Sequence, residues 1–198
     1  MSKKKVSKKE EIVNVGVRKL AAGYIFLLIA FSLFFVCLHS FNLYAFDIEL
    51  NYSIFILPIL FFLIDVILKE VGYSYGIAAL VLSAAFIFVA YMYLDILFNI
   101  EFNMIKYIGV VLAYSVSQFL NLSIYYYMLD NYRTPYFFVV VNFIFSILIY
   151  NMIYMLFSLG LVFSDGFWSS YLIVVALQTL ISMICGILLR LIKQGVEG

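Results

Sequence analysis

The residues best suited to chemistry here are carboxamides and hydroxyls set at helical spacing inside strongly apolar runs. Gln118 and Asn121 stand three residues apart, and Tyr114 and Tyr125 continue their helical face. Asn142, Ser146 and Tyr150 recur every four residues, with Asn151 and Tyr154 close by. Gln178 and Ser182 share a face of the last apolar run. A carboxamide offers a donor and an acceptor together, which suits the edge of a planar heterocycle. Tyrosine faces suit stacking against such a ring. In lipid every polar group must find a partner. The same residues therefore also read as interhelical glue, at roughly 0.6 kcal/mol per hydrogen bond. Taken together they predict one carboxamide-rich layer near mid-membrane, drawn from the last three helices.

No Lys, Arg, Asp or Glu falls in that central layer. This argues against an ion channel, a strongly charged substrate and the buried carboxylate of a proton-coupled carrier. Asp65 is the exception within the apolar runs. It lies one turn before Lys69 and Glu70, so it is expected near a membrane face. There it would either pair with Lys69 or serve as a polar group at a cavity mouth or gate. Catalysis has little to work with. His39 is the only histidine, Asp65 and Asp95 are expected toward opposite faces, and no Ser/His, paired-Asp or metal cluster is visible. No enzyme, metal or cofactor is expected. A nucleotide-binding GxxxxGK[ST] motif is also missing, so any ATP use would require a partner.

Composition dictates what must position these residues. The chain of 198 residues is 67% apolar and 12% charged. A soluble domain carries about 45–50% apolar and about 25% charged residues, and one of this size could not hide so much apolar surface. The expected fold is an all-α integral membrane protein. A bilayer core takes roughly 20 apolar residues per helix. Six runs qualify: Leu20–Phe41, Ser53–Leu68, Tyr75–Leu97, Tyr107–Met128, Tyr136–Val162 and Tyr171–Ile192. The second is the shortest and contains Pro58. Turn signals fall between the runs, at 130–135, at 164–166, and at Gly72 with Gly76.

Orientation follows from Lys and Arg in short loops and at span ends. Lys3, Lys4, Lys5, Lys8, Lys9, Arg18, Lys19, Lys69, Arg133, Arg190 and Lys193 fall on one side of a six-span bundle. Lys106 stands on the other side with Asp47, Glu49, Asp95, Glu101 and Asp165. Both termini are expected in the cytoplasm. Residues 1–19 are expected as a disordered basic anchor, 20–192 as the membrane domain and 193–198 as a short tail. The first run is too long for a cleaved signal peptide and lacks a small-residue cleavage site. Cys37 and Cys185 lie in separate runs without metal-site spacing, and read as small apolar residues facing other helices. Tyr73, Tyr75, Tyr107, Tyr132, Tyr136, Tyr171 and Trp168 fit an aromatic belt. The small residues Gly76, Ala78, Ala79, Ser83, Ala84, Ala85 and Ala90 predict a third helix packed inside the bundle. A net charge of +1 gives no reason to expect nucleic acid.

The segment Pro58-Ile-Leu-Phe61-Phe-Leu-Ile-Asp65-Val-Ile-Leu-Lys-Glu70-Val-Gly72 resembles the Pro-x-x-Phe-x-x-x-Asp pattern, closed by a glycine, of the VUT family. Its members are small six-helix bacterial membrane proteins known as queuosine precursor transporters. Ser117-Gln118-Phe-Leu-Asn121 is similar to the family's Gly-Gln-x-x-Asp. The stretch from Asn142 through Ser146 and Tyr150 to Asn151 aligns with its Ser-Thr…Ser-Gln-x-x-Asp-Thr. Asn121 and Tyr150 replace acidic positions, Asn142 a serine, and Gln178 falls near a customary lysine. The resemblance implies import of a small neutral planar molecule such as the 7-deazapurines preQ0 and preQ1, across a bacterial inner membrane. Gln118, Asn121, Asn142, Ser146 and Gln178 would bind its edges, Tyr114, Tyr150 and Tyr154 would wall its ring, and Asp65 would gate. Two alternatives stay open: a substrate-binding subunit of an energy-coupling-factor transporter, and a non-transporting scaffold. The expected partners are lipid and a small-molecule substrate, with a homo-oligomer or energising subunits also open.

Overall fold

The computed structural model describes residues 2–39, 42–45, 48–98, 104–131, 136–158 and 167–191. Six α-helices account for most of them: α1 (Ser2–His39), α2 (Leu57–Val71), α3 (Tyr73–Phe98), α4 (Met104–Asn131), α5 (Tyr136–Ser158) and α6 (Phe167–Leu191). All but α2 contain a segment long and apolar enough to cross a membrane. Apolar residues cover the outside: Phe26, Phe137 and Ile96 are each about 70% exposed. Carboxamides and an acid sit inside, with Asp65, Gln118 and Asn121 fully buried. Water would favour the reverse; lipid favours this arrangement.

The second run departs most from expectation. Its helix has 15 residues, about 22 Å at 1.5 Å per residue, short of the roughly 30 Å hydrocarbon core. A 3₁₀ turn (Tyr52–Phe55) leads into it, and Pro58 sits in its first turn, where no intrahelical N–H is lost. It is buried along most of its length, from Leu57 to Leu68, with Asp65 among the enclosed side chains. It touches α1, α3, α4, α5 and α6, so it is the central post of the bundle.

One further expectation gives way, and one element was not anticipated. The basic N-terminal segment is helical from Ser2 and continuous with α1, whereas disorder was expected. Between α1 and α2 the backbone forms an antiparallel hairpin of β1 (Asn42–Ala45) and β2 (Ile48–Asn51), with Leu43 opposite Leu50. The other helix ends fall within four residues of the expected ones. Residues 132–135 and 159–166, which carry two expected turns, lie outside the described residues. So do Asp47, Glu101 and Lys193, and the side chains of Lys3–Lys9, His39, Glu49, Asp95, Lys106, Arg133, Tyr132, Tyr136, Asp165, Trp168 and Arg190.

Lipid gives no hydrophobic drive between helices, so close fit and hydrogen bonds hold them together. Glycines mark the closest approaches. A Cβ on Gly109 of α4 would fall onto Phe157 Cβ of α5, and one on Gly76 of α3 would lie 3.2 Å from Leu122 of α4 and 3.4 Å from Leu68 of α2. Of the small residues of α3, Ala79, Ser83, Ala84 and Ala90 face inward, whereas Ala78 and Ala85 face outward. Tyrosine ring pairs join α3 to α4 at both ends, stacked at one and tilted at the other. Tyr91 lies 4.7 Å from Tyr107 at the hairpin end, and Tyr73 lies 4.5 Å from Tyr126 at the other. At that other end α2 turns into α3 through Gly72, whose φ of 120° lies in a region that side chains avoid.

Candidate polar site inside the bundle

Carboxamides and hydroxyls behave differently in this interior. Ser32, Ser117, Ser146 and Ser182 each donate to a carbonyl one turn back on their own helix, so they satisfy themselves locally. The carboxamides cross between helices. They do so at two levels, not in the single layer expected.

The first level lies in the half nearer Gly72. Asn121 Nδ2 of α4 donates to Asp65 Oδ1 of α2 at 2.8 Å. Asn142 Nδ2 of α5 donates to Asn121 Oδ1 at 2.8 Å and to the Asn121 backbone carbonyl at 3.0 Å. One turn along α4 from Asn121, Gln118 Nε2 reaches the Phe61 carbonyl of α2 at 3.5 Å. Phe61 itself stands one turn before Asp65. Three side chains, Asp65 of α2, Asn121 of α4 and Asn142 of α5, thus form one connected group, and Gln118 ties α4 to the α2 backbone one turn away.

The amide orientations are fixed by logic as well as by distance. Asp65 Oδ1 accepts, so Asn121 presents its nitrogen there. Its oxygen then faces Asn142, which must also present nitrogen. The backbone carbonyl of Phe61 fixes Gln118 in the same way. The consequence is a surplus of acceptors. Asp65 Oδ2, Gln118 Oε1 and Asn142 Oδ1 are buried without a hydrogen-bond donor among the described residues.

The second level lies nearer the hairpin. Asn151 Nδ2 of α5 donates to Gln178 Oε1 of α6 at 2.7 Å, and Gln178 Nε2 donates to the Ile54 carbonyl in the 3₁₀ turn at 3.3 Å. Nine residues of α5 separate Asn142 from Asn151, about 13 Å of rise. Neither Asn151 nor Gln178 leaves a buried polar atom unpaired. This level closes on itself. Tyr150 and Tyr154 stack at 5.9 Å, 8° from parallel, on α5 beside the second level.

Asp65 is where the sequence reading needs correcting. Its hydrogen-bond partner is Asn121 and not Lys69. It is fully buried and belongs to the first level, so the polar interior does contain an acidic group. Lys69 Nζ donates instead to the Leu189 carbonyl in the last turn of α6, at 2.7 Å. There a cation meets unpaired helix-end carbonyls. Glu70 accepts from the Tyr24 hydroxyl of α1 at 2.7 Å. Lys69 and Glu70 are therefore both committed to other helices.

The remaining expected residues are distributed as follows. Gln118, Asn121 and Asn142 meet at the first level and Gln178 at the second. Ser146 and Tyr150 are buried on the face of α5 that carries Asn142. Tyr114 packs its ring 6.1 Å from Phe61, and its hydroxyl is 2.9 Å from Ser83 Oγ of α3. Sequence reasoning missed the two backbone acceptors, Phe61 and Ile54, and the part of Ser83. The four-residue spacing of Phe61 and Asp65 was the available signal for the first of these. A separate apolar groove of about 490 Å³ opens between α3 and α4, lined by Leu80, Val81, Ala84, Val116 and Phe119. It faces outward and contains none of the carboxamides.

An apolar exterior, helices of membrane-spanning length and a hydrogen-bonded polar interior define a multi-pass helical membrane protein. Comparison with protein families, curated proteins and solved structures yields no match to this chain.

Proposed function

We propose that this protein is a membrane transporter for a small planar molecule, and that the first polar level is its binding site. Three buried acceptors without a donor among the described residues carry the reading. Side chains that serve only as glue satisfy one another, as they do at the second level, and most buried polar groups in folded proteins are paired. Acceptors left unfilled by the described residues at the first level fit a place meant for a bound solute. Gln118, Asn121 and Asn142 hydrogen-bond the solute, and Tyr114, one turn from Gln118 on α4, walls its ring; Tyr150 and Tyr154 lie with the second level and take no part in this site. Asp65 acts inside the site and not as a gate at its mouth.

The distribution of basic residues favours six spans with both termini in the cytoplasm of a bacterial cell, the Gly72 end facing inward. In that orientation Lys69 and Glu70 tie α6 and α1 to the cytoplasmic end of α2. The resemblance to the VUT family makes 7-deazapurines the first solutes to try. The test is queuosine in tRNA from a host that cannot make its precursors, expressing this chain and fed limiting preQ0 or preQ1. Restored queuosine, lost on Gln118→Ala and Asn121→Ala at unchanged protein level, is the expected result. No restoration with the protein inserted in the membrane would remove this substrate.

A further inference from the structure

We infer that the first polar level binds a monovalent alkali cation, held by Asp65 Oδ2 with the amide oxygens Gln118 Oε1 and Asn142 Oδ1.

The atoms to be filled are all oxygens, and all are acceptors. They belong to three helices whose side chains are already tied together by the bonds from Asn121 to Asp65 and from Asn142 to Asn121. Gln118 stands one turn away on the same face of α4. Carboxylate and amide oxygens are the ligands that hard cations prefer, and carbonyl-type oxygens inside membrane bundles are used for this purpose.

Charge sets the valence. A carboxyl buried away from water either takes up a proton or keeps its charge beside a compensating cation. Among the described residues the nearest cation in sequence is Lys69, and its ammonium is engaged by the Leu189 carbonyl. The donor that reaches Asp65 is a neutral amide. A single positive charge neutralises the site. A divalent ion would leave an excess positive charge in a low-dielectric surround. The remaining titratable groups near this level are tyrosines. Tyr125 and Tyr114 stand on α4, both buried, and neither supplies a positive charge.

A bound cation changes what the site reads. It fills the spare acceptors and offers its open coordination positions to lone pairs on the solute, such as a ring carbonyl or ring nitrogen. Its part in uptake rests on the transport reading above; its binding does not.

The experiment measures binding on the purified full chain in detergent. Unfolding midpoints are compared in sodium, potassium and choline chloride at equal ionic strength, alongside binding of radioactive sodium. The expected result is a higher midpoint in sodium or potassium than in choline, with saturable binding of one ion per chain. Asp65→Asn should abolish the difference. Gln118→Met removes one oxygen and keeps the carboxylate. It should weaken affinity, which keeps the test decisive if the Asp65 variant fails to fold. Equal midpoints in all three salts without saturable sodium binding would overturn the inference. Uptake of a solute that proceeds equally in choline, without sodium binding, would overturn it and leave transport standing. Cation binding without any solute uptake would leave it standing and remove transport.

Discussion

Replacing Asn121 with Leu removes the side chain that joins α2 to α5, and the structure sets the size of the loss. Asp65 loses the 2.8 Å bond from Asn121 Nδ2. Hydrogen bonds to charged groups contribute about 1.5–3 kcal/mol. Asn142 loses less, because its Nδ2 keeps the backbone carbonyl of residue 121 at 3.0 Å; roughly 0.6 kcal/mol is the average for such an interhelical bond. Leu is not smaller than Asn, so no cavity is added. The expected cost is about 2–4 kcal/mol, most of it from a buried carboxylate left unpaired. A second substitution then isolates that part. Adding Asp65→Leu removes the stranded charge, and replacing a buried charge with a packed apolar residue is often neutral or stabilising. The double variant should therefore recover at least about 1 kcal/mol of the loss. Equilibrium unfolding in mixed micelles, followed by circular dichroism, measures all three chains. Two results would refute a charged Asp65 held by Asn121. One is a loss for Asn121→Leu no larger than the ~0.6 kcal/mol of an average interhelical bond. The other is a double variant less stable than the single one.

The same unfolding measurement checks five further variants. Gly109→Ala places a Cβ onto that of Phe157 and should cost about 1–3 kcal/mol by overpacking, whereas Gly23→Ala, with nothing within 4 Å, should be neutral or slightly stabilising. Gly72→Ala forces a side chain into φ 120° and should cost about 1–3 kcal/mol. Gln178→Leu leaves Asn151 Nδ2 and the Ile54 carbonyl without partners and should cost about 1–3 kcal/mol, part of which Asn151→Leu should restore. Lys69→Met frees the Leu189 carbonyl and should cost about 1 kcal/mol, with faster amide exchange confined to the last turn of α6.

The spans were legible because an apolar run of bilayer length rarely forms anything but a membrane helix. The amide faces on α4 and α5 were legible because helical spacing alone aligns Gln118 with Asn121 and Asn142 with Ser146. The enclosure of Asp65 was missed for a physical reason. Counting residues back from Lys69 gives distance along a helix axis, and says nothing of distance from the bundle axis. Because α2 is the central post, its side chains are enclosed almost to its ends. The split into two levels was also out of reach. Whether Gln178 meets Asn142 or Asn151 depends on how α6 is shifted against α5, and spacing within a single helix does not fix that shift. Backbone acceptors such as Phe61 and Ile54 carry no mark in the side-chain pattern.

The line from Asn142 through Asn121 to Asp65 has a direction: each side-chain N–H along it points toward the carboxylate. Turning one amide alone sets oxygen against oxygen or nitrogen against nitrogen, so the two asparagines reverse together or not at all. Such a line holds one bit, written by the charge at Asp65 and legible at Asn142 on another helix. A positive charge arriving beside the carboxylate weakens the hold that keeps the bit in its present setting. The amide plane of Asn142 is then the place where α5 registers what α2 has bound.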